Sequence, residues 1–320
     1  AQKDFLHGRG TGKTLLSGGQ KDPLKKMRAA GAAGEETMEV QGNAKLNLTL
    51  DVLGKRPDGY HDMRMVMQSI TLSDTLTVKE NGGRGLRVGT NLHFLPNNEK
   101  NLAAQAALRF WEARGIGVKG LDITIEKRIP VCAGMAGGSS DAAAVLRALN
   151  QMEGEPFSIL ELARIGERVG SDVPYCVLGG TALAEGRGEV LTPLPPLPHC
   201  WVVVCKPPFP ISTPELFAQL DRVRVTRRPD TQGVMDALAA EDLEGVARRM
   251  YNVFEDVLPD RQRSRVADIK NTLIHCGALG ATMSGTGPSA FGLFTQLEKA
   301  KSACELLREQ YRETFLAETV

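Results

Sequence analysis

Leu46, Leu48, Leu50 and Val52 alternate with Asn47, Thr49 and Asp51, the period of a half-buried strand with one polar face. Alternate side chains of a strand point the same way, so Lys45 shares that polar face with Asn47. The stretch Gly54-Lys55-Arg56-Pro57-Asp58-Gly59-Tyr60-His61 is rich in turn formers, and 65–78 returns to a strand pattern. Asn101 is placed to cap a helix running to about Arg114 and ended by Gly115. Leu121, Ile123 and Ile125 alternate again, residues 130–138 form a loop, and Ser139-Ser140-Asp141 open an alanine-rich helix to about Met152. This strand, glycine loop and helix is the strongest local signal in the chain.

A helix over about 158–169 leads into Gly170-Ser171-Asp172-Val173-Pro174, and the proline-rich run at 193–198 predicts a connection between domains. Beyond it the pattern predicts a strand at 201–205, helical segments near 214–221, 231–251 and 260–276, a strand at 290–294 and a last helix over about 296–314, an α+β arrangement. The expected domains are therefore 38–192 and 193–320. Residues 1–37 show no apolar periodicity and are broken by seven glycines, which predicts a disordered or fusion-derived leader with Met38 as the native start.

Composition narrows the class. With 320 residues, 42% hydrophobic and 24% charged, the chain is an ordinary globular protein long enough for two domains; disorder, collagen and a disulfide miniprotein are excluded. Lys plus Arg number 39 against 38 Asp plus Glu, so no net field draws in nucleic acid or an anionic membrane. Without the leader the balance is 32 against 34, a body of net −2, and a nucleic-acid partner would rest on the leader alone. The longest plainly apolar stretches, such as 200–205, fall far short of the roughly 18–20 residues of a membrane helix. Six scattered cysteines without a Cys-x-x-Cys pair, and histidines that never fall at metal-ligand spacing, predict reduced thiols in a cytoplasmic setting and no side-chain metal site.

The 34 glycines are bunched, as in loops that let backbone approach a ligand. Gly8-Arg9-Gly10-Thr11-Gly12-Lys13-Thr14 is not a working P-loop, because His7 stands where the first glycine belongs and only six residues precede that position to supply the buried strand. The run Pro130-Val131-Cys132-Ala133-Gly134-Met135-Ala136-Gly137-Gly138-Ser139-Ser140 puts glycines and two hydroxyls before a helix start, where free N–H groups and the helix dipole favour phosphate. The alternative is a merely tight turn. Taken singly, Asp172 could be a helix cap, Lys45 a surface lysine, Tyr60-His61 the end of a turn, Phe217 helix core, and Ser284-Gly285-Thr286-Gly287 a bare glycine turn.

The 130–140 run resembles the Pro-x-x-x-Gly-Leu-Gly-Gly-Ser-Ser loop of the GHMP kinases, with Met135 replacing the usual leucine at conserved volume. Two further blocks of that superfamily stand in order, Ala44-Lys45-Leu46-Asn47 and Met283-Ser284-Gly285-Thr286-Gly287-Pro288. Within it, residues 43–61 are similar to the opening of the members that act on 4-diphosphocytidyl-2-C-methyl-D-erythritol, and the likeness spans about 38–320. Asn43 stands where proline is common, and Thr286 where serine is common.

The resemblance implies an α+β, two-domain fold: an N-terminal ATP-binding domain with a left-handed βαβ unit, and a ferredoxin-like C-terminal domain. It implies transfer of the ATP γ-phosphate to the 2-hydroxyl of that cytidine diphosphate conjugate, with Mg²⁺, in the non-mevalonate route to isoprenoids. Asp172 aligns with the family's base and Lys45 with the lysine that orients it, beside Asn47. Residues 130–140 and 284–287 would shape the triphosphate pocket, with Ser140 a candidate magnesium contact. Tyr60 would stack on the cytosine, His61 meet its edge, and Thr213 and Phe217 supply a polar contact and a second aromatic wall. The alternatives are a sister kinase acting on homoserine, mevalonate or phosphomevalonate, and a non-catalytic nucleotide-binding relative.

Overall fold

The structure, a computed structural model, describes residues 36–320. All but the last two residues of the expected leader, and with them the glycine-lysine stretch at 8–14, lie outside the described residues. Those two already meet the sheet: Glu80 N donates to Glu36 O at 3.0 Å, and the first strand opens at Thr37, one residue before Met38.

In chain order the elements are β1 (Thr37–Lys55), β2 (His61–Glu80), β3 (Leu86–Thr90), α1 (Leu102–Arg114), β4 (Leu121–Glu126), α2 (Gly137–Met152), α3 (Ile159–Glu167), α4 (Val173–Leu178), β5 (Thr181–Gly186) and β6 (Val190–Pro193). The second half adds β7 (Trp201–Lys206), α5 (Thr213–Leu220), α6 (Thr231–Ala239), α7 (Leu243–Arg249), β8 (Tyr251–Asn252), α8 (Asp260–His275), β9 (Gly280–Met283), β10 (Ala290–Phe294), α9 (Leu297–Arg308) and β11 (Glu313–Glu318).

The backbone of the first half is the long antiparallel hairpin of β1 and β2, paired from Thr37 opposite Lys79 to Lys55 opposite His61 with three register shifts between. Beta-2 is long enough to serve two neighbours along one edge, pairing β5 through Met63–Gln68 and β4 through Thr75–Glu80. The sheet runs β3-β4-β2-β1-β8, with β5 on β2 and β6 on β5. Beta-3 and β4 are parallel, joined by α1 in a βαβ unit. Alpha-1 forms where the sequence predicts it: Asn101 accepts from Ala103 N, and Gly115 ends the helix at φ 66°.

A register shift between Asn47 and Thr49 interrupts the alternation of β1. Leu46 and Leu48 therefore enter one core cluster, with Val202, Val204 and Phe291, while Leu50 and Val52 enter another, with Val203, Phe254 and Met283. The expected polar, solvent-facing side of this strand is in fact covered. Asn47 and Thr49 have no exposed surface and Lys45 retains only 4%: Ser284 and Gly285 of the second half meet Asn47, while Lys45 meets Met135 and Asp172 of the first half.

That second half carries a four-stranded antiparallel sheet in the order β11-β7-β10-β9. In the order in which these strands occur along the chain this is 4-1-3-2, the ferredoxin-like arrangement. Two expectations need correction. The helical stretch at 231–251 is two helices, parted where Glu241 takes φ 54° and Asp242 caps the second through Gly245 N at 2.8 Å. The last helix stops at Arg308, and 313–318 is the strand β11, formed by pairing with β7.

The proline-rich connection is seated, not free: Leu197 is buried and its N–H donates to Thr181 Oγ1 at 2.9 Å. Beta-8, from the second half, lies parallel to β1 and completes the first sheet. No helix among the described residues is long and apolar enough to cross a membrane.

Candidate active site

The loop between β4 and α2 is anchored from below. Asp74 Oδ1 accepts from Arg128 N at 2.6 Å and Ile129 N at 2.8 Å, fixing the chain as it leaves β4. Lys127 is buried between Asp74 and Asp141, 2.6 Å from the latter. One ammonium thus serves two buried carboxylates, and Asp141 Oδ1 has no hydrogen-bond partner among the described residues. Burial pushes the Asp141 carboxyl up to about 8, against the pull of Lys127.

Within the loop, Cys132, Gly134 and Ala136 all take left-handed backbone, with φ of 53°, 75° and 57°. Two of the three carry a Cβ, so the loop holds local strain, a feature that clusters at binding sites. The helix begins at Gly137, two residues earlier than expected, so Gly137 and Gly138 lie in its first turn and not before it. A cavity of about 300 Å³ opens over this turn. It is lined by Pro130, Val131, Cys132, Ala133, Gly134, Ala136, Gly137, Gly138 and Ser139 from the predicted loop, and also by Leu95, Pro96, Lys100, Leu102 and Asp141. Free N–H groups and the positive end of a sixteen-residue helix face an anion placed there.

Two loop residues point elsewhere. Met135 is buried in the core, and its carbonyl accepts from Lys45 N at 3.2 Å. Ser140, expected to meet the nucleotide or magnesium, is fully buried and donates to Asn43 O at 2.6 Å. The early helix start accounts for this, since at 3.6 residues per turn it rotates Ser140 inward onto β1.

The three blocks that are distant in sequence meet around Asn47. Its Oδ1 accepts from Lys45 Nζ at 2.8 Å and from Gly285 N at 3.0 Å. Its N–H donates to Ser284 Oγ at 3.3 Å, and that hydroxyl donates to Gly134 O at 2.9 Å. A Cβ on Gly134 would stand 2.1 Å from Ser284 O, so glycine is what permits the contact between the loop and the late turn. The turn is held from behind by Asn252, whose Nδ2 donates to Met283 O and Gly285 O, both at 2.8 Å.

Asp172 sits at the N-cap position of α4, but its side chain caps nothing. It is partly exposed, and its Oδ2 lies 3.9 Å from Lys45 Nζ. That gap exceeds a hydrogen bond, and an oxygen within hydrogen-bond reach of both groups fits between them. Burial pushes the thiol of nearby Cys176 up to about 12, which favours its protonated form.

At the far end of the hairpin, the His61 ring stacks on Phe217 with centroids 4.5 Å apart and planes at 22°. Asp221 holds the ring through Nε2 at 2.8 Å, and that hydrogen bond keeps the Asp221 carboxyl below its usual range. Phe217 in turn meets Phe254 edge-on at 5.0 Å. Tyr60 is exposed, with the Arg187 guanidinium over its ring at 5.2 Å. Thr213 and Thr286 share a hydroxyl contact at 2.9 Å, tying the start of α5 to the late glycine turn.

Sequence reasoning missed Lys127, Asp74, Asn252, Asp221 and Arg187. The first could have drawn notice as a lysine just before the loop; the others carry no local signal, since their partners lie far along the chain.

The family described as GHMP kinases N terminal domain matches residues 101–180, and GHMP kinases C terminal matches 234–313. The chain is 43% identical over 282 residues to the 4-diphosphocytidyl-2-C-methyl-D-erythritol kinase of Alkaliphilus metalliredigens (strain QYMF), covering 88% of this chain and 96% of that one. It is 45% identical over 268 residues to the enzyme of the same name from Lachnoclostridium phytofermentans, covering 84% and 91%. A crystal structure of 4-(cytidine 5'-diphospho)-2C-methyl-D-erythritol kinase superposes with a TM-score of 0.74 at 33% identity, over 88% of this chain and 99% of that one. A mevalonate kinase from L. major, at TM-score 0.69 and 19% identity over 92% and 98%, shares the fold alone. With relatives this similar along nearly their whole length, and both GHMP kinase domains matched, the chain belongs to the 4-diphosphocytidyl-2-C-methyl-D-erythritol kinase family of the GHMP kinases.

Proposed function

We propose that this protein transfers the γ-phosphate of ATP to the 2-hydroxyl of 4-diphosphocytidyl-2-C-methyl-D-erythritol, releasing ADP, as a step of the non-mevalonate isoprenoid route. The observation that carries the mechanism is the Lys45–Asp172 pair, 3.9 Å apart and tied through Asn47 to both glycine segments. The acceptor hydroxyl sits between them: Asp172 takes its proton as the oxygen attacks, and the Lys45 ammonium orients both groups. ATP lies in the cavity above the first turn of α2, its phosphates met by the N–H groups of the glycine loop. At the other end, the cytosine stacks on Tyr60, which requires Arg187 to leave the ring face, while the His61–Phe217 stack forms the second wall.

Magnesium supplies charge neutralisation on the phosphates. No cluster of three or more carboxylates, histidines or cysteines suited to a metal occurs among the described residues, and Ser140 is engaged by Asn43. The ion would arrive with the nucleotide, held by phosphate oxygens and water. Six cysteines without a disulfide suit a reducing compartment, and we place the protein in the cytoplasm.

The test is ADP release with Mg²⁺-ATP, offering the cytidyl substrate, mevalonate and homoserine in parallel. Turnover with the cytidyl substrate alone is expected. Turnover only with another alcohol would overturn the substrate, and ATP binding without turnover would overturn catalysis. Asp172→Asn should lower kcat by about 10²–10⁴ while nucleotide affinity stays within about twofold; full activity in that variant would remove Asp172 from the role of base.

A further inference from the structure

A second cavity, of about 420 Å³, lies in the C-terminal half and shares no lining residue with the one over the glycine loop. Its volume falls in the range of small-molecule sites. One wall is apolar and stiff, built of Pro207, Pro208 and Phe209 directly after β7. Opposite stand Arg261 and Arg265, four residues apart on α8 and so on one face of it. Neither guanidinium has a hydrogen bond or ion pair among the described residues, and Asp260, beside Arg261 in the chain, pairs with Arg263 instead. Tyr311 closes the cavity: its ring is buried, while its hydroxyl reaches solvent and makes no hydrogen bond to a described residue. Two like charges one turn apart repel, and an anion set between them relieves that repulsion, with the Tyr311 hydroxyl open to donate to it.

We propose that this cavity is a second ligand site, for an organic phosphate. The phosphate is gripped by the two forked guanidiniums and the Tyr311 hydroxyl, and a ring or other apolar body lies against Pro207, Pro208 and Phe209. The site is coupled to the substrate clamp. The apolar wall runs within four residues into Thr213, where α5 begins, and Phe209, Ile211, Phe217 and Tyr311 all pack in one core cluster. Filling the cavity stiffens the segment that presents Phe217. This coupling rests on the function proposed above; the site itself does not.

The full chain, with ADP and CDP saturating the catalytic cleft, is titrated calorimetrically with phenyl phosphate and with inorganic phosphate. Phenyl phosphate is expected to bind one to one in the millimolar range or tighter, and inorganic phosphate several-fold more weakly. The double variant Arg261→Gln, Arg265→Gln should lose about tenfold or more in affinity for phenyl phosphate, with an unchanged unfolding midpoint. Both side chains are exposed, so the substitutions leave the core intact; Tyr311→Phe, which keeps the ring, should weaken binding in the same direction. No saturable binding by the parent chain, or equal affinity in the double variant, would overturn the site. Equal affinity for the two probes would overturn the organic body. Phenyl phosphate should also lower KM for the cytidyl substrate without changing KM for ATP. An unchanged cytidyl KM, in a chain that turns that substrate over and binds the probe, would overturn the coupling alone.

Discussion

Replacing Gly134 by alanine tests whether the glycine loop and the late glycine turn are locked by close backbone approach. The added Cβ would stand 2.1 Å from Ser284 O and 3.0 Å from Gly287 N. Ordinary contact begins near 3.4 Å, so the two segments must part by about 1.3 Å. Parting breaks the 2.9 Å hydrogen bond from Ser284 Oγ to Gly134 O and leaves buried polar atoms unpaired, at about 1–3 kcal/mol. Holding alanine at the left-handed φ of 75° costs about 1–2 kcal/mol more. The expected loss is about 2–5 kcal/mol in urea unfolding followed by tryptophan fluorescence, with KM for ATP raised by about tenfold. Gly115→Ala is the control, because its φ of 66° imposes a similar backbone penalty while nothing stands within 4 Å of the new Cβ. A difference of less than about 1 kcal/mol between the two variants would refute the close-approach argument.

Lys45→Met keeps the buried stem of Lys45 and removes its charge; kcat should fall by about 10²–10³ with nucleotide affinity nearly unchanged, and a comparable fall in nucleotide affinity would count against its role beside Asp172. Phe217→Leu retains apolar volume against Phe254 but ends the stack on His61, and should raise KM for the cytidyl substrate by about tenfold while KM for ATP holds; equal shifts in both would mean a general loss of folding. Asp141 carries a carboxyl raised to about 8, so the folded chain holds that proton more tightly than the unfolded one. Its contribution to stability is complete below about pH 4 and is lost as the pH rises through about 8. Asp141→Asn should flatten the fall in stability between pH 5 and pH 8 in urea titrations, and a variant as pH-dependent as the parent would remove Asp141 as its source.

Several features were legible in the chain because local pattern encodes local torsion and facing. Asn101 and Gly115 bound α1 by capping chemistry that needs no distant partner. The alternation at 121–125 marks β4, and the shared facing of Lys45 and Asn47 appears as a direct hydrogen bond. The order of the lysine strand, the glycine loop and the late glycine turn carried the family resemblance. The last helix, expected to about 314, stops at Arg308, and the strand at 313–318 carries no local signal because it is created by pairing with β7, more than a hundred residues earlier. Ser140 lies against Asn43 and not in the loop cavity for a smaller reason, since a two-residue shift in a helix start turns a side chain toward the core.

What the sequence by itself determined is therefore the locally encoded elements, such as α1 and β4, the shared face of Lys45 and Asn47, and a candidate phosphate loop, lysine and aspartate. What only the tertiary structure decided is which faces meet. The polar side of β1 is buried because the late glycine turn meets Asn47 while Met135 and Asp172 meet Lys45, which leaves that lysine 4% exposed and 3.9 Å from Asp172. Asp221 finds His61 across 160 residues, and Asn47 finds Gly285 across 238. Alternation and capping act over a few residues and specify torsions, whereas such meetings depend on how completed sheets and helices pack, a choice made by burial and hydrogen-bond satisfaction over the whole molecule.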